Sequence, residues 1–140
     1  MIKVYIAARG QDQHLANVCR QELAPHGIAS TSQWIDEDLA QESHGEAQMD
    51  IDDVRAADAL IVIKPKDSHR ETTGGHHVET GIALERGMSI LLLGERENVF
   101  HHHARVQIIP WPIVSWATLA DDITIAVLAR RSVQRAEQHP

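Results

Sequence analysis

Several things are scarce in this chain of 140 residues, and each scarcity excludes something. Cysteine occurs once, at Cys19, so no internal disulfide can form and a reducing cytoplasm is the natural setting. Basic side chains are outnumbered: 13 Lys and Arg face 20 Asp and Glu, for a formal net charge of -7. Unspecific binding to nucleic acid or to an acidic membrane surface needs the opposite balance. Long apolar runs are missing as well, with nothing near the roughly 20 residues of a membrane span. The opening "MIKVYIAARG" alternates too early and too briefly for a signal peptide. Aromatic residues are few, with one Phe, one Tyr and three Trp, so each is as well suited to filling a core as to holding a ligand. What remains is 43% hydrophobic and 24% charged, an ordinary globular composition, and the length suits a single domain over residues 1–140.

Short apolar runs alternate with amphipathic stretches. "IKVYIAA" (2–8) predicts a buried strand, and "DQHLANVCRQELAPHG" (12–27) a helix with Leu15, Val18, Cys19, Glu22 and Leu23 at helical spacing, closed by Pro25 and Gly27. A weaker strand over 28–34 precedes a polar segment read as a loop or an exposed helix. A helix over 47–58, with Met49, Val54 and Ala57 inward, leads to a strand over 59–65. Next come a polar loop, a helix from about His76 to Arg86 and a strand over 88–95. A fifth strand within "RVQIIPW" and a long closing helix over 117–138 complete the pattern. Such alternation calls for a parallel sheet covered by helices on both faces, and the continuous apolar character of "ALIVI" and "SILLL" agrees with strands buried on both sides. In this architecture ligands bind at the carboxyl ends of the strands, near the point where strand order reverses. That edge collects Tyr5 to Arg9, the loop from Lys64 to Gly75, the start of the helix carrying Glu79, and Asp50 at the beginning of the 47–58 helix.

Two carboxylates meeting in one cleft, Glu79 and Asp50, can divide labour between nucleophile and proton carrier. Gly74 and Gly75 ahead of Glu79 leave room for a sugar to approach the backbone. By spacing alone, Glu79 is as readily an acid favoured near a helix start, and Asp50 a capping or surface residue. The ten histidines raise the question of a metal. His76 and His77 are adjacent and His101 to His103 consecutive, whereas helical ligand pairs sit at i and i+4, so no metal site is expected. His76 or His77 is expected to line the pocket beside Glu79. "RENVFHHHARV" reads as a short surface or interface helix, and Trp111 and Trp116, beside Pro110 and Pro112, as structural.

"VYIAAR" (4–9), "DIDDVRAADALIVI" (50–63) and "GGHHVETGIALERG" (74–87) together resemble the nucleoside 2-deoxyribosyltransferase family, which includes a branch of deoxynucleoside monophosphate N-glycosidases. The resemblance runs from residue 2 to about residue 100 and keeps the order of the motifs. It implies a flavodoxin-like, doubly wound α/β sheet of about five mostly parallel strands and an enzyme acting on a deoxynucleoside or deoxynucleotide. By the same resemblance Glu79 matches the nucleophile that captures the sugar as an ester, and Asp50 the acid that assists the leaving base. Tyr5 matches the tyrosine that orients the nucleophile. Asn98 resembles an asparagine that a neighbouring subunit contributes to the sugar hydroxyls, with Phe100 at the same border, which implies a homo-oligomer with a shared active site.

An N-glycosidic bond breaks through a cationic sugar, which a carboxylate stabilises and then captures, so the chemistry needs neither metal nor other cofactor. Glu79 is expected to be ionised. Thr73 stands where some transferases place an Asp that binds the base. The hydrolase branch surrounds a 5'-phosphate with small hydroxyl residues and arginine, and Arg9, Ser68, Arg70, Thr72 and Thr73 offer that set, with Lys64 and Lys66 nearby. For any one of these, a solvated loop residue is an equal reading. Trp34 offers a flat face for the base. The overall resemblance favours transfer to a free acceptor base; transfer to water, giving a deoxynucleoside monophosphate N-glycosidase, is the alternative. A non-catalytic nucleotide sensor is a second alternative, and a phospho-acceptor receiver is disfavoured because "AARGQDQ" offers only Asp12 after the first strand.

Overall fold

The computed structural model describes residues 1–40, 47–66 and 75–139. Five strands, β1 (Ile2–Ala7), β2 (Ile28–Ser30), β3 (Ala59–Lys64), β4 (Ser89–Gly94) and β5 (Val106–Ile109), form one sheet in the order β2-β1-β3-β4-β5. Every neighbouring pair is parallel. Four helices accompany them: α1 (Gln13–Leu23), α2 (Ala47–Arg55), α3 (Gly75–Glu85) and α4 (Trp116–Gln138). α1 packs on β1, β2 and α4, and α4 reaches β4; α2 and α3 pack on each other, with α3 over β3 and β4. The doubly wound α/β sheet that the alternation implies is therefore present.

Burial follows position in the sheet. Every residue of β3 is buried, as are Ile90 to Leu93 of β4, because helices cover both their faces. β2 and β5 close the two edges and are shorter. Helix α1 presents Ala16, Cys19 and Leu23 to the sheet, while Val18 and Glu22, also at helical spacing, point outward. The small side chains of Ala16 and Cys19 suit a close approach of helix to sheet, and burial raises the Cys19 thiol to about 12, leaving it an inert core group.

Two segments differ from expectation. The second strand ends at Ser30 rather than at Trp34. The buried Ser32 hydroxyl accepts the Ile6 amide at 2.6 Å, taking a β1 donor that a longer β2 would have paired, and Thr31 Oγ1 donates to the Asp53 carbonyl at 2.7 Å. The chain then turns through a 3-10 segment, Gln33–Asp36. The histidine run forms a short, largely exposed helix as expected, but with one side chain turned inward. It forms a 3-10 turn over Val99–His102 that buries His101, whose Nδ1 accepts the Glu97 amide at 2.8 Å. Burial lowers the His101 imidazole to about 4, so it sits inside as a neutral ring.

Among the described residues, no helix is long and apolar enough to cross a membrane. Trp111 and Trp116 pack against the core, as expected of structural residues.

Gly94 ends β4 with φ of 133°, and a Cβ there would collide with the Lys64 carbonyl. Replacing it with alanine forces β3 and β4 apart where the site begins. Gly94→Ala is expected to lower stability by roughly 2–4 kcal/mol. Urea denaturation should show this as a lower midpoint at unchanged slope, and an unchanged midpoint would contradict the close approach.

Candidate active site

The order β2-β1-β3 reverses the direction of winding between β1 and β3, which opens a crevice at their carboxyl ends. A cavity of about 680 Å³ lies there. Its walls come from Tyr5, Ala8 and Gly10 at and beyond the end of β1, Trp34 and Glu37 after β2, Asp50 in the first turn of α2, and Glu79 on α3. The volume is within the ordinary range of small-molecule sites. A smaller cavity of about 190 Å³ between α2 and α3 shares Asp50 and Glu79, so the two carboxylates border both spaces.

Tyr5 is fully buried, and its hydroxyl donates to Glu79 Oε1 at 2.9 Å. A buried hydroxyl without a partner costs about 1–3 kcal/mol, so this bond fixes the relative placement of β1 and α3. Burial, then the charges of Glu79 and Asp50, push the phenol upward, so it remains a donor. Glu79 is raised to about 8: burial is the largest cause, Asp50 adds to it, and the Tyr5 hydrogen bond opposes both. At neutral pH the carboxyl in the free protein is therefore mostly protonated. This corrects the expectation of an ionised Glu79, and the physical reason is that α3 places it against the sheet rather than at an open helix end.

Trp34 is held by its indole N–H, which donates to the Ile6 carbonyl at 2.8 Å. Gln13 Nε2 donates to the Trp34 and Glu37 carbonyls at 3.1 and 2.8 Å, tying the turn to α1. Asp53 is buried and accepts from the Gln33 amide at 3.1 Å and from its side chain at 2.9 Å. The wall is thus a braced turn. Glu37, Asp50 and Glu79 line the main cavity, and no basic residue does among the described residues, which favours a ligand that carries hydrogen-bond donors or develops positive charge.

Several described basic groups near this edge are engaged elsewhere. Lys64 is buried at the end of β3, with Nζ 3.2 Å from Glu97 Oε2. His76 Nε2 reaches the same oxygen at 3.0 Å and His77 Nε2 lies 3.5 Å from it. Partial burial pushes Glu97 upward, but hydrogen bonds from His76 and Lys64 outweigh it and hold the carboxyl below its usual range. Burial lowers His76, against the pull of Glu97. His76, His77 and Glu97 place potential ligand atoms within 4.8 Å of one another. The Lys64 ammonium already supplies positive charge to the shared oxygen, so an ion-pair network accounts for the cluster without a cation.

Of the residues singled out from the sequence, Tyr5, Asp50, Glu79 and Trp34 converge on the cavity. Arg9 is not among its lining; it is buried, with Nε 3.5 Å from Asp12. His76, expected beside Glu79, turns instead to Glu97. Asn98 caps the Val99–His102 turn by accepting from the Phe100 amide at 2.9 Å, and its Nδ2 donates to His77 Nδ1 at 3.1 Å. Phe100 is 60% exposed. Gly75 is the first residue of α3. Thr73 and Gly74 lie outside the described residues, as do Ser68, Arg70 and Thr72. The sequence reading missed Glu37 and Glu97. Glu37 is masked by its acidic neighbours, and its only signal is a position three residues after Trp34. Glu97 lacks even that.

No protein-family model and no curated protein matches this chain. Among solved structures, the fold is similar to that of a CMP N-glycosidase, BcmB, from Clostridium botulinum, with a TM-score of 0.56 and 18% sequence identity over 88% of this chain and 98% of that one. The likeness is one of fold, the parallel α/β sheet that the sequence pattern implies.

Because the folded state binds the Glu79 proton more tightly than an unfolded chain, whose glutamate titrates at about 4.5, stability contributed by the neutral carboxyl is complete below about 4.5 and lost as pH rises through about 8. Glu79→Gln, which cannot ionise, is expected to melt higher than the parent, with a gap that widens from pH 5 to pH 8. Carboxyl NMR should place Glu79 near 8 in the free protein, moved up by Tyr5→Phe and down by Asp50→Asn. A Glu79 that titrates with exposed glutamates would refute this account of the site.

Proposed function

We propose that this protein cleaves the N-glycosidic bond of a 2'-deoxynucleoside or its 5'-monophosphate through a covalent ester on Glu79. The observation that carries the reading is the Tyr5 to Glu79 hydrogen bond at the wall of a cavity that Asp50 also lines. A hydroxyl donor and two carboxyl groups meet where the fold class holds its ligands, which supports assigning them the roles of orienting donor, nucleophile and proton carrier.

In the first step a Glu79 oxygen bonds to the anomeric carbon as the carbon–nitrogen bond breaks. The bonding electrons leave with the base, and Asp50 supplies the proton that neutralises it. Glu79 must first give up its own proton, and Asp50, which borders both cavities with it, receives it and passes it on. Tyr5 keeps the attacking carboxyl aimed, and its hydrogen bond favours the ionised form that attacks. The acidic wall stabilises the cationic sugar of the transition state. In the second step an acceptor attacks the anomeric carbon and releases Glu79.

The motif resemblance favours a free base as that acceptor, which makes the protein a deoxyribosyltransferase. Water as the acceptor, which makes it a hydrolase, is favoured by one observation: the solved structure of similar fold is named a CMP N-glycosidase. Asn98 and Phe100 enter this reading as contributions of a second copy. Their support is that Val99 and Phe100 stand exposed, at 74% and 60%, directly beside Asn98.

Incubation with each deoxynucleoside and its monophosphate, with and without an acceptor base, followed by chromatography, separates the readings. A new nucleoside assigns transfer; free base and sugar alone assign hydrolysis; intact substrate throughout leaves only the sensor. Glu79→Ala is expected to lower base release by about a thousandfold or more. Because the proton that reaches the base is the one Glu79 surrenders through Asp50, kcat/KM should fall as pH rises through about 8 and the pair loses that proton, and a flat profile across that interval would count against this relay.

A further inference from the structure

The cavity holds a third carboxyl group, Glu37, to which the proposed reaction assigns no bond-making or proton-transfer step. It belongs to the acidic run Asp36, Glu37 and Asp38, whose members face different ways. Asp36 pairs with Arg20 at 2.8 Å on the surface, and Asp38 Oδ1 accepts the Ala40 amide at 3.1 Å. Glu37 instead lines the cavity, and its Oε1 is enclosed by protein with no hydrogen-bond partner among the described residues. A buried acceptor left unsatisfied is costly, and more so on a charged group. The terminal torsion of a glutamate is broad, so either oxygen can turn toward the cavity. Donors for this carboxyl therefore come from whatever the cavity receives.

Its neighbour specifies what that is. Trp34 lies three residues earlier, on the 3-10 turn that Glu37 closes, and side chains at i and i+3 of such a turn eclipse. Indole and carboxyl both border the cavity, one a flat surface and the other an acceptor. Hydrogen bonds from Gln13 to both carbonyls, at 3.1 and 2.8 Å, fix the pair before any ligand arrives. A heterocyclic base resting on the indole meets Glu37 with its edge. Cytosine and adenine carry an exocyclic amino group, a donor that suits a carboxylate. Uracil and thymine present one ring N–H flanked by two carbonyl oxygens, which a carboxylate repels.

We propose that Glu37 selects the base, accepting a hydrogen bond from the amino group of a cytosine- or adenine-type nucleoside and disfavouring 2,4-dioxopyrimidines. This deepens the reading of the same cavity as a nucleoside site and rests on it for the identity of the ligand. Glu37 binds the base and takes no part in breaking the bond.

Two variants test it: Glu37→Leu, which removes the acceptor, and Glu37→Gln, which keeps one acceptor and adds a donor. With deoxycytidine, deoxyadenosine, deoxyuridine and thymidine as substrates, the parent should favour the first two. Glu37→Leu should lower kcat/KM for those two by roughly ten- to hundredfold, the usual worth of a hydrogen bond to a charged group, and leave the dioxo substrates nearly unchanged. Glu37→Gln should recover part of the loss and improve deoxyuridine. Preference for deoxyuridine or thymidine in the parent, or an unaltered ratio in Glu37→Leu, overturns the proposal. Calorimetric binding of free cytosine, adenine and uracil to Glu79→Gln, with and without Glu37→Leu, needs no turnover. Binding of the aminated bases that depends on Glu37, in a protein that cleaves no nucleoside, would sink the reaction and keep the selector. Cleavage without that dependence would do the reverse, and binding of no base overturns the selector. Thermal melts of each variant exclude misfolding as the cause.

Discussion

One hydrogen bond holds the site together. The Tyr5 hydroxyl is buried in the sheet and finds its acceptor on α3, 74 residues away in sequence, at 2.9 Å. Neither group tolerates the interior alone: the phenol needs an acceptor and the carboxyl needs a donor to offset desolvation. Their bond therefore ties the second half of the fold to the first strand and sets the direction of the Glu79 side chain. Burial and the nearby Asp50 charge push the carboxyl up to about 8, against the tyrosine bond. The chain thus keeps a poised acid where a surface position would give an ordinary one.

Charge around the cavity is segregated. Glu37, Asp50 and Glu79 line it, while four described basic groups of the same sheet edge have other partners: Lys64, His76 and His77 contact Glu97, and Arg9 lies near Asp12. That arrangement suits a reaction in which positive charge builds on a sugar, because fixed carboxylates need no reorganisation as the charge develops. It also gives the 95–103 segment a structural task. Glu97 anchors it to α3 and β3, and the neutral His101 ring plugs it into the interior.

Much of the architecture was legible in the residues. β3 and β4 announce themselves because strands covered on both faces must be apolar throughout, and α4 because its length and period leave few alternatives. Tyr5, Asp50 and Glu79 were legible as a group through topology, since parallel strands bring their carboxyl ends to one edge. β2 was overextended because its end is set by the Ser32 hydroxyl competing for the Ile6 amide, a contact between residues 26 apart. Within the histidine run, the burial of His101 was not legible because a buried neutral imidazole and an exposed one look alike in sequence. Only the Glu97 amide and the surrounding burial distinguish them.

The sequence by itself determined the order of strands and helices, the parallel sheet and the edge where chemistry is possible, since these follow from periodicity and from the handedness of the connections. Tertiary structure alone decided which acids face the cavity, which of them hold a proton, and which basic groups are spent on ion pairs. Those properties depend on distances between side chains remote in sequence and on how far each is withdrawn from water. Periodicity carries neither quantity.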